Sequence, residues 1–228
     1  MAAERLEQEV EDLFGLIGSG KNFLLSGGAG SGKTYSLVSV INEIYRRNTK
    51  ARIACITFTN AAVHEIENRV LNSRLWISTI HDFLWKNISP FQEELKGTLI
   101  EGINNPEINY KNIFVEIPYF NSFDDGIRYA EHLRLANGEI SHDEVIVLVN
   151  QMYKKYPKLC EILCWKYEYI LVDEYQDTAL EVIEILLDFL PKGRKKNTVG
   201  FFGDAMQSIY DDGIGDLEEY IKKGCVTE

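Results

Sequence analysis

Gly27-Gly28-Ala29-Gly30-Ser31-Gly32-Lys33-Thr34 is the stretch on which the fold of this chain turns. It has the spacing of a phosphate loop: glycine, four residues, glycine, lysine, hydroxyl. It also sits between a short apolar run, Phe23 to Leu25, and a segment from Ser36 to Tyr45 whose apolar residues recur at helical spacing. Strand, glycine loop, helix is the context the chemistry needs. Glycines let backbone N–H groups turn inward around a phosphate, and the new helix adds unpaired N–H groups and the positive end of its dipole. Lys33 then neutralises β- and γ-phosphate charge, and Thr34 ligates Mg²⁺. A glycine-rich turn of no function explains each residue singly but not all of them in this order and place.

Working outward, strands and helices alternate. Apolar residues from Leu6 to Leu16 follow helical spacing until Gly18-Ser19-Gly20 breaks it. Downstream, Ile53 to Phe58 reads as a strand, Ala61 to Val70 as a helix, Leu75 to Ser78 as a third strand, and a short helix begins at His81. Such alternation predicts a parallel sheet covered on both faces. After Ser89-Pro90 the character changes, and Phe91 to Trp165 is richer in helix-compatible segments, among them Gly126 to Leu135 and His142 to Lys155. Buried-strand patterns resume at Tyr167 to Val172 and at Thr198 to Phe202, with a helix at Leu180 to Leu190 between them. The expected architecture is α/β. A sheet domain discontinuous in sequence (1–89 and 166–228) carries a mainly helical insertion at 90–165.

A nucleotide hydrolase needs one carboxylate on the metal and a second to activate water. The strand Tyr169 to Val172 runs directly into Asp173-Glu174. Adjacent residues leaving a strand address different targets, so Asp173 is expected to hold Mg²⁺ and Glu174 to polarise the attacking water as general base. Taken alone, an Asp-Glu pair at a strand end is ordinary solvated turn chemistry, and it is the coupling to the phosphate loop that gives it meaning.

Bulk properties narrow the class. A hydrophobic fraction of 45% is that of a soluble globular protein, and a formal charge of -11 repels a phosphate backbone over the surface as a whole. Contact with nucleic acid must therefore come from a local groove or from other domains. Cys55, Cys160, Cys164 and Cys225 form no paired framework and read as reduced thiols, which points to the cytoplasm. The acidic amphipathic start and the lack of a long apolar run argue against export or a membrane span. The basic clusters Arg46, Arg47, Lys50, Arg52 and Lys192, Arg194, Lys195, Lys196 read as solvated helix ends and loops.

Five segments, GGAGSGKT, ITFTNAAVHEIENRV, STIHDF, ILVDEYQDT and GDAMQSIY, stand in an order and at spacings that resemble the UvrD/Rep/PcrA superfamily 1 DNA helicases. The likeness spans the chain in organisation and is specific in those segments. It implies a P-loop NTPase domain of the RecA-like kind, with ATP and Mg²⁺ as cofactors and single-stranded DNA as the track of the complete motor. The nucleotide would be held by Gln8 and by Gly28, Ala29, Gly30, Ser31, Gly32, Lys33, Thr34 and Tyr35, and Mg²⁺ by Thr34 and Asp173. Lys33, Glu174 and Gln207 would act on the phosphates, Gln207 sensing the γ-phosphate with support from Asp204, while Gln176 helps position water or the neighbouring domain. Phe58, Asn60, Thr79, His81 and Tyr210 match DNA-contacting positions. Phe58 and Tyr210 are the aromatic, base-contacting ones; Thr79 and His81 belong to a segment that touches phosphates.

The chain departs from the family at several points. Ala61 stands for the usual lysine after TFTN, Tyr35 for an arginine after GKT, and Asp211-Asp212-Gly213-Ile214 for an aromatic and an arginine after QSIY. The resemblance also implies a second motor domain, which is missing here, so the expectation is a truncated chain or half of a split motor. Loss of the arginines such a domain supplies typically costs about 10³ to 10⁵ in turnover, so the chain alone would bind Mg-ATP and hydrolyse it poorly. The parent is read as an ATP-driven 3′-to-5′ DNA translocase. Two alternatives are a nucleotide-gated regulatory or defence-system ATPase subunit without processive unwinding, and a binding module with vestigial catalysis.

Overall fold

The structure is a computed structural model and describes residues 11–28, 32–70, 72, 74–108, 110–192, 196–207, 214 and 217–228. Of the expected site residues, Gln8, Ala29, Gly30, Ser31 and Tyr210 lie outside the described residues. Along the chain the elements are α1 (11–18), β1 (Phe23–Ser26), α2 (Lys33–Arg47), β2 (Ile53–Thr57), α3 (Asn60–Arg69), β3 (Leu75–Thr79), α4 (Ile80–Ile88) and α5 (Gln92–Asn104). There follow β4 (Arg128–Tyr129), β5 (Glu139–Ile140), α6 (His142–Lys155), α7 (Pro157–Lys166), β6 (Tyr169–Asp173), α8 (Leu180–Glu184), β7 (Thr198–Gly203) and α9 (Glu218–Lys222). They divide into two compact units, 1–80 with 161–228, and 81–160. The borders drawn from sequence, at 89 and 165, fall at the far end of α4 and inside α7.

The first unit is built on a wholly parallel five-stranded sheet in the order β1-β7-β6-β2-β3. β2 and β7 are buried at every residue, as expected of strands covered on both faces, whereas the edge strand β3 is mostly half-buried. All five strands expected from sequence are present within a residue or two, and β6 and β7 complete a sheet begun more than a hundred residues earlier. On one face α2 lays down Leu37, Val40, Ile41 and Ile44, which join Phe14, Phe23, Ile53, Ile66, Leu171 and Phe202 in a continuous core. Within it Phe23 and Phe202 meet edge to face, 5.8 Å between centroids. The helix expected over Leu180 to Leu190 is α8 followed by a π-helical segment, Ile185–Phe189, and a 3₁₀ turn. One extra residue in a turn does not disturb a 3.6-residue pattern enough to be read from it.

In the second unit α5 and α6 pack through Leu95, Leu99 and Ile103 and through Val145, Leu148, Val149 and Met152. α6 starts with a capping box: Glu144 is fully buried, and its carboxylate accepts the Ser141 N–H, the Ser141 hydroxyl and the Asn112 amide. The helix-compatible stretch Gly126 to Leu135 is not a helix. Gln92 on α5 takes both backbone groups of Ile127, accepting its N–H at 2.8 Å and donating to its carbonyl at 3.2 Å. With that backbone satisfied from 35 residues away, Arg128–Tyr129 is free to pair with Glu139–Ile140.

Candidate nucleotide-binding site

The register of the sheet brings three strand ends to one level. Ser26 of β1 pairs with Gly203 of β7, and Asp173 of β6 pairs with Phe202. The phosphate loop leaves from Ser26 and is tied to the end of β7 by a hydrogen bond from Gly27 N–H to the Gly203 carbonyl, 3.0 Å. Gly32 then takes a left-handed backbone (φ 86°) and α2 begins at Lys33 without a side-chain cap. The first-turn N–H groups of a fifteen-residue helix therefore open toward the loop. Lys33 curls back so that its Nζ donates to the Gly27 carbonyl at 2.8 Å. Thr34 follows, half-buried, and Tyr35 stands 58% exposed at the rim.

Beside this loop β6 delivers its two carboxylates. Asp173 is 4% exposed, and its Oδ1 is buried with no hydrogen-bond partner. Burial, and then the charge of Glu174, pushes its carboxyl up to about 6, with Lys33 pulling the other way. Glu174 is one of two described residues other than glycine with a positive φ, 49°. At that residue the strand gives way to a 3₁₀ turn, Tyr175–Asp177. Gln176 Nε2 donates to Glu174 Oε2 at 2.8 Å, and Gln176 Oε1 accepts the N–H of Asp204 at 3.1 Å. Asp204 in turn accepts from Gln207 Nε2 at 2.6 Å and from the Met206 N–H at 3.0 Å, and these two donors hold its carboxyl below the usual range. A chain of polar contacts thus runs from Glu174 to Gln207 across the ends of β6 and β7. Gly203 is required where the chain crosses, because a side chain there would run into Gln176 Oε1 and the ring of Tyr175.

Chemically, this edge offers backbone donors and a lysine for an anion, and a dehydrated carboxylate for a cation. Asp173 and Thr34 are the side chains that could hold Mg²⁺. The unpartnered Oδ1 of Asp173 fits such an ion, since a buried carboxylate oxygen with no donor is otherwise a net cost. Two further hydroxyls at the same edge, Thr57 Oγ1 at the end of β2 and Thr178 Oγ1 after β6, are also buried without partners. Sequence reasoning did not single them out, although both stand inside the quoted segments ITFTNAAV and DEYQDT.

Of the residues expected to meet DNA, Phe58, Asn60 and Thr79 lie along the ends of β2 and β3. Phe58 and Thr79 are half-buried, and Asn60 is exposed at the start of α3 beside the N-cap Thr59. His81 belongs to the second unit. Three of the basic residues near α2 are engaged in ion pairs: Arg46 and Arg47 with Glu43 at 2.5 and 2.6 Å, and Arg52 with Glu168 at 2.8 Å. Among the described residues no cluster of three or more His, Cys, Asp or Glu could hold a metal by itself, and no helix is long and apolar enough to cross a membrane.

A parallel sheet with a phosphate loop at the carboxyl end of β1 and acidic residues at the end of β6 defines a P-loop ATPase. A family described as an AAA domain matches residues 16–212, and the chain belongs to it. Most of the chain is also distantly homologous to superfamily 1 helicases, and it is a helicase-like ATPase domain. It is 28% identical to the ATP-dependent DNA helicase PcrA of Bacillus subtilis, over 82% of this chain and 31% of that protein. It is similar as well to two proteins of Bacillus cereus, each named Gabija protein GajB. One is 26% identical over 92% of this chain and 44% of its own length, the other 31% identical over 86% and 39%. The chain thus spans less than half the length of these relatives.

Proposed function

We propose that the chain binds and hydrolyses Mg-ATP as the nucleotide-binding part of a DNA-stimulated ATPase whose nucleotide state gates a partner, as a subunit of a defence system, in preference to driving long unwinding. The observation that carries the ATPase part is the buried, unpartnered oxygen of Asp173 beside Glu174 and Lys33. Supporting the gated over the processive form are the similarity to the Gabija proteins, which covers more of the chain than that to PcrA, and the acidic Asp211-Asp212-Gly213 run after the fifth motif. The motif series itself and the name of PcrA support the second reading, an ATP-dependent DNA helicase.

In this mechanism Lys33 exchanges the Gly27 carbonyl for phosphate oxygens, and the open N–H groups around Gly32 complete the cradle. Thr34 and Asp173 are the residues that would hold Mg²⁺, which would supply charge neutralisation for the phosphate oxygens. Glu174, held by Gln176, takes the proton of the attacking water, and Gln207, held by Asp204, reads the presence of the terminal phosphate. Because Gln176 also bonds the backbone of Asp204, a shift at Gln207 reaches Glu174 through three hydrogen bonds. Phe58, Asn60 and Thr79 meet the DNA strand at the other end of the same sheet edge. The chain alone turns ATP over slowly, the rest of a complete motor supplying further phosphate contacts.

The test is ATP hydrolysis by this chain with and without excess single-stranded DNA, alongside Lys33→Ala and Glu174→Gln. Nucleotide binding lost in Lys33→Ala, with slow turnover lost in Glu174→Gln, is the expected result. Turnover indifferent to both substitutions would sink the assignment. Strand displacement by a complete protein that contains this chain separates the two readings.

A further inference from the structure

Four rings from three separate elements gather on one patch of the second unit. His81 and Trp85 stand one turn apart on α4, Tyr129 ends β4, and His142 opens α6. Their centroids lie 4.5 Å (His81 to His142), 5.2 Å (Tyr129 to His142), 6.2 Å (Trp85 to Tyr129) and 6.5 Å (His81 to Tyr129) apart, and the last pair is nearly parallel, at 20°. The Tyr129 hydroxyl lies 3.0 Å from His142 Nε2. His142 is exposed and the other three are half-buried, so the patch meets water.

Its electrostatics are unlike those of a phosphate grip. Burial first, and then the neighbouring His142, draws the His81 imidazole down to about 4, leaving it neutral near pH 7. Burial and then Asp82 push the Tyr129 phenol up to about 12. Asp82 and Asp143, both exposed, add negative charge at the rim. A hydrophobic packing cluster would be better made of leucine and phenylalanine, and a phosphate site of lysine and arginine. Flat rings inside a negative rim, the neutral His81 among them, suit a partner that brings a flat face to the patch and keeps its own charge away from it.

We propose that His81, Trp85, Tyr129 and His142 form a base-stacking platform, on which unpaired bases of single-stranded DNA lie with their phosphates turned away from Asp82 and Asp143. This rests on the reading of the chain as part of a DNA-stimulated ATPase, and it gives His81 the role of a stacking ring in place of a phosphate contact. Each base on an aromatic platform typically contributes a factor of roughly ten in affinity.

The experiment uses the full chain with Trp76→Phe and Trp165→Phe, which leaves Trp85 as the one tryptophan. A labelled oligothymidylate and an abasic strand of equal length and charge are compared by Trp85 quenching and by anisotropy. Quenching by oligothymidylate but not by the abasic strand is expected, together with a roughly tenfold loss of oligothymidylate affinity in His142→Ser and in Tyr129→Leu. His142 is exposed, so its variant keeps the fold, and melting curves verify this for Tyr129→Leu. Equal binding of the two strands, absence of binding by either, or indifference of oligothymidylate affinity to both variants would overturn the platform. Stacking that persists while DNA leaves ATP turnover unchanged would instead overturn the proposed function and leave the platform standing.

Discussion

Among the described residues each unit holds one residue other than glycine at a positive φ, and in each an ionisable group is displaced from its ordinary range, but the two units use them differently. In the sheet unit the two are neighbours: Asp173, pushed up by burial, is followed by Glu174 at φ 49°. In the helical unit they are far apart in sequence: His81 is pushed down by burial, and Phe123 also sits at φ 49°. Phe123 is 4% exposed, with Tyr119 6.3 Å away, so its strain is offset by the burial of a large ring. Glu174 has no such compensation, since it carries a carboxylate tethered to Gln176. Strain that packing does not explain marks a position where direction matters more than stability.

The sharpest way to break this contrast is Glu174→Gln, which keeps shape and the contact to Gln176 while removing the proposed base. Turnover is expected to fall about 10²- to 10⁴-fold with nucleotide affinity retained, measured by steady-state hydrolysis and equilibrium binding. An unaffected rate would mean that the strained residue is not the base. The matching change in the other unit, Phe123→Ala, should leave nucleotide affinity alone and cost about 3 kcal/mol or more of stability by denaturant melting, because a buried phenyl is lost while the strained backbone remains.

The displaced groups sharpen the contrast further. Asp173→Asn removes a buried charge one of whose oxygens lacks a donor, so the ligand-free protein should gain roughly 1–3 kcal/mol while Mg²⁺-dependent nucleotide binding is lost. A variant that is less stable without ligand would show that the carboxylate is already satisfied. For His81 the sign follows from a folded value near 4 and an ordinary value of 6.5. The unfolded chain takes up the proton first as pH falls. The stability tied to a neutral His81 is therefore complete above 6.5 and lost between 6.5 and 4. Allowing for water at a half-buried ring, the loss is about 1–2 kcal/mol. His142, Asp82 and Asp143 face His81 and bend the curve without reversing it. Melting curves of the protein and of His81→Gln across this range should converge in acid; parallel curves would place the titration elsewhere.

What could be read from sequence follows the same division. The phosphate loop, the carboxylate pair and all five strands of the sheet are local signals. Gly27 to Thr34 carries its own context, and a buried parallel strand such as Tyr169 to Val172 is a continuous apolar run. The helical unit depends on distant partners. Gly126 to Leu135 looks helical because nothing nearby says that Gln92 will take over the backbone of Ile127. His81, Tyr129 and His142 are brought together only by folding, and no spacing rule joins them. Even at the sheet edge the link from Gln176 to Asp204, 28 residues apart, was invisible, though each residue had been singled out for another reason.

The smallest expected effect bears most directly on the contrast between the two strained residues. A left-handed backbone costs a side chain roughly 1–2 kcal/mol and costs glycine almost nothing, although glycine gives back about half to one kcal/mol through its freer unfolded chain. At Glu174 no buried ring is at stake, so Glu174→Gly should be more stable than Glu174→Ala by up to about 1 kcal/mol and at least as stable as the parent, while both are inactive. At Phe123 the same pair of substitutions differs by a similar amount, but both fall well below the parent, because the ring is what the backbone was bent to bury. If Glu174→Gly is no more stable than Glu174→Ala, the backbone there relaxes once the carboxylate is gone. The bend at Glu174 would then be imposed by its contact to Gln176 and not by the path of the chain from β6 into the turn at Tyr175.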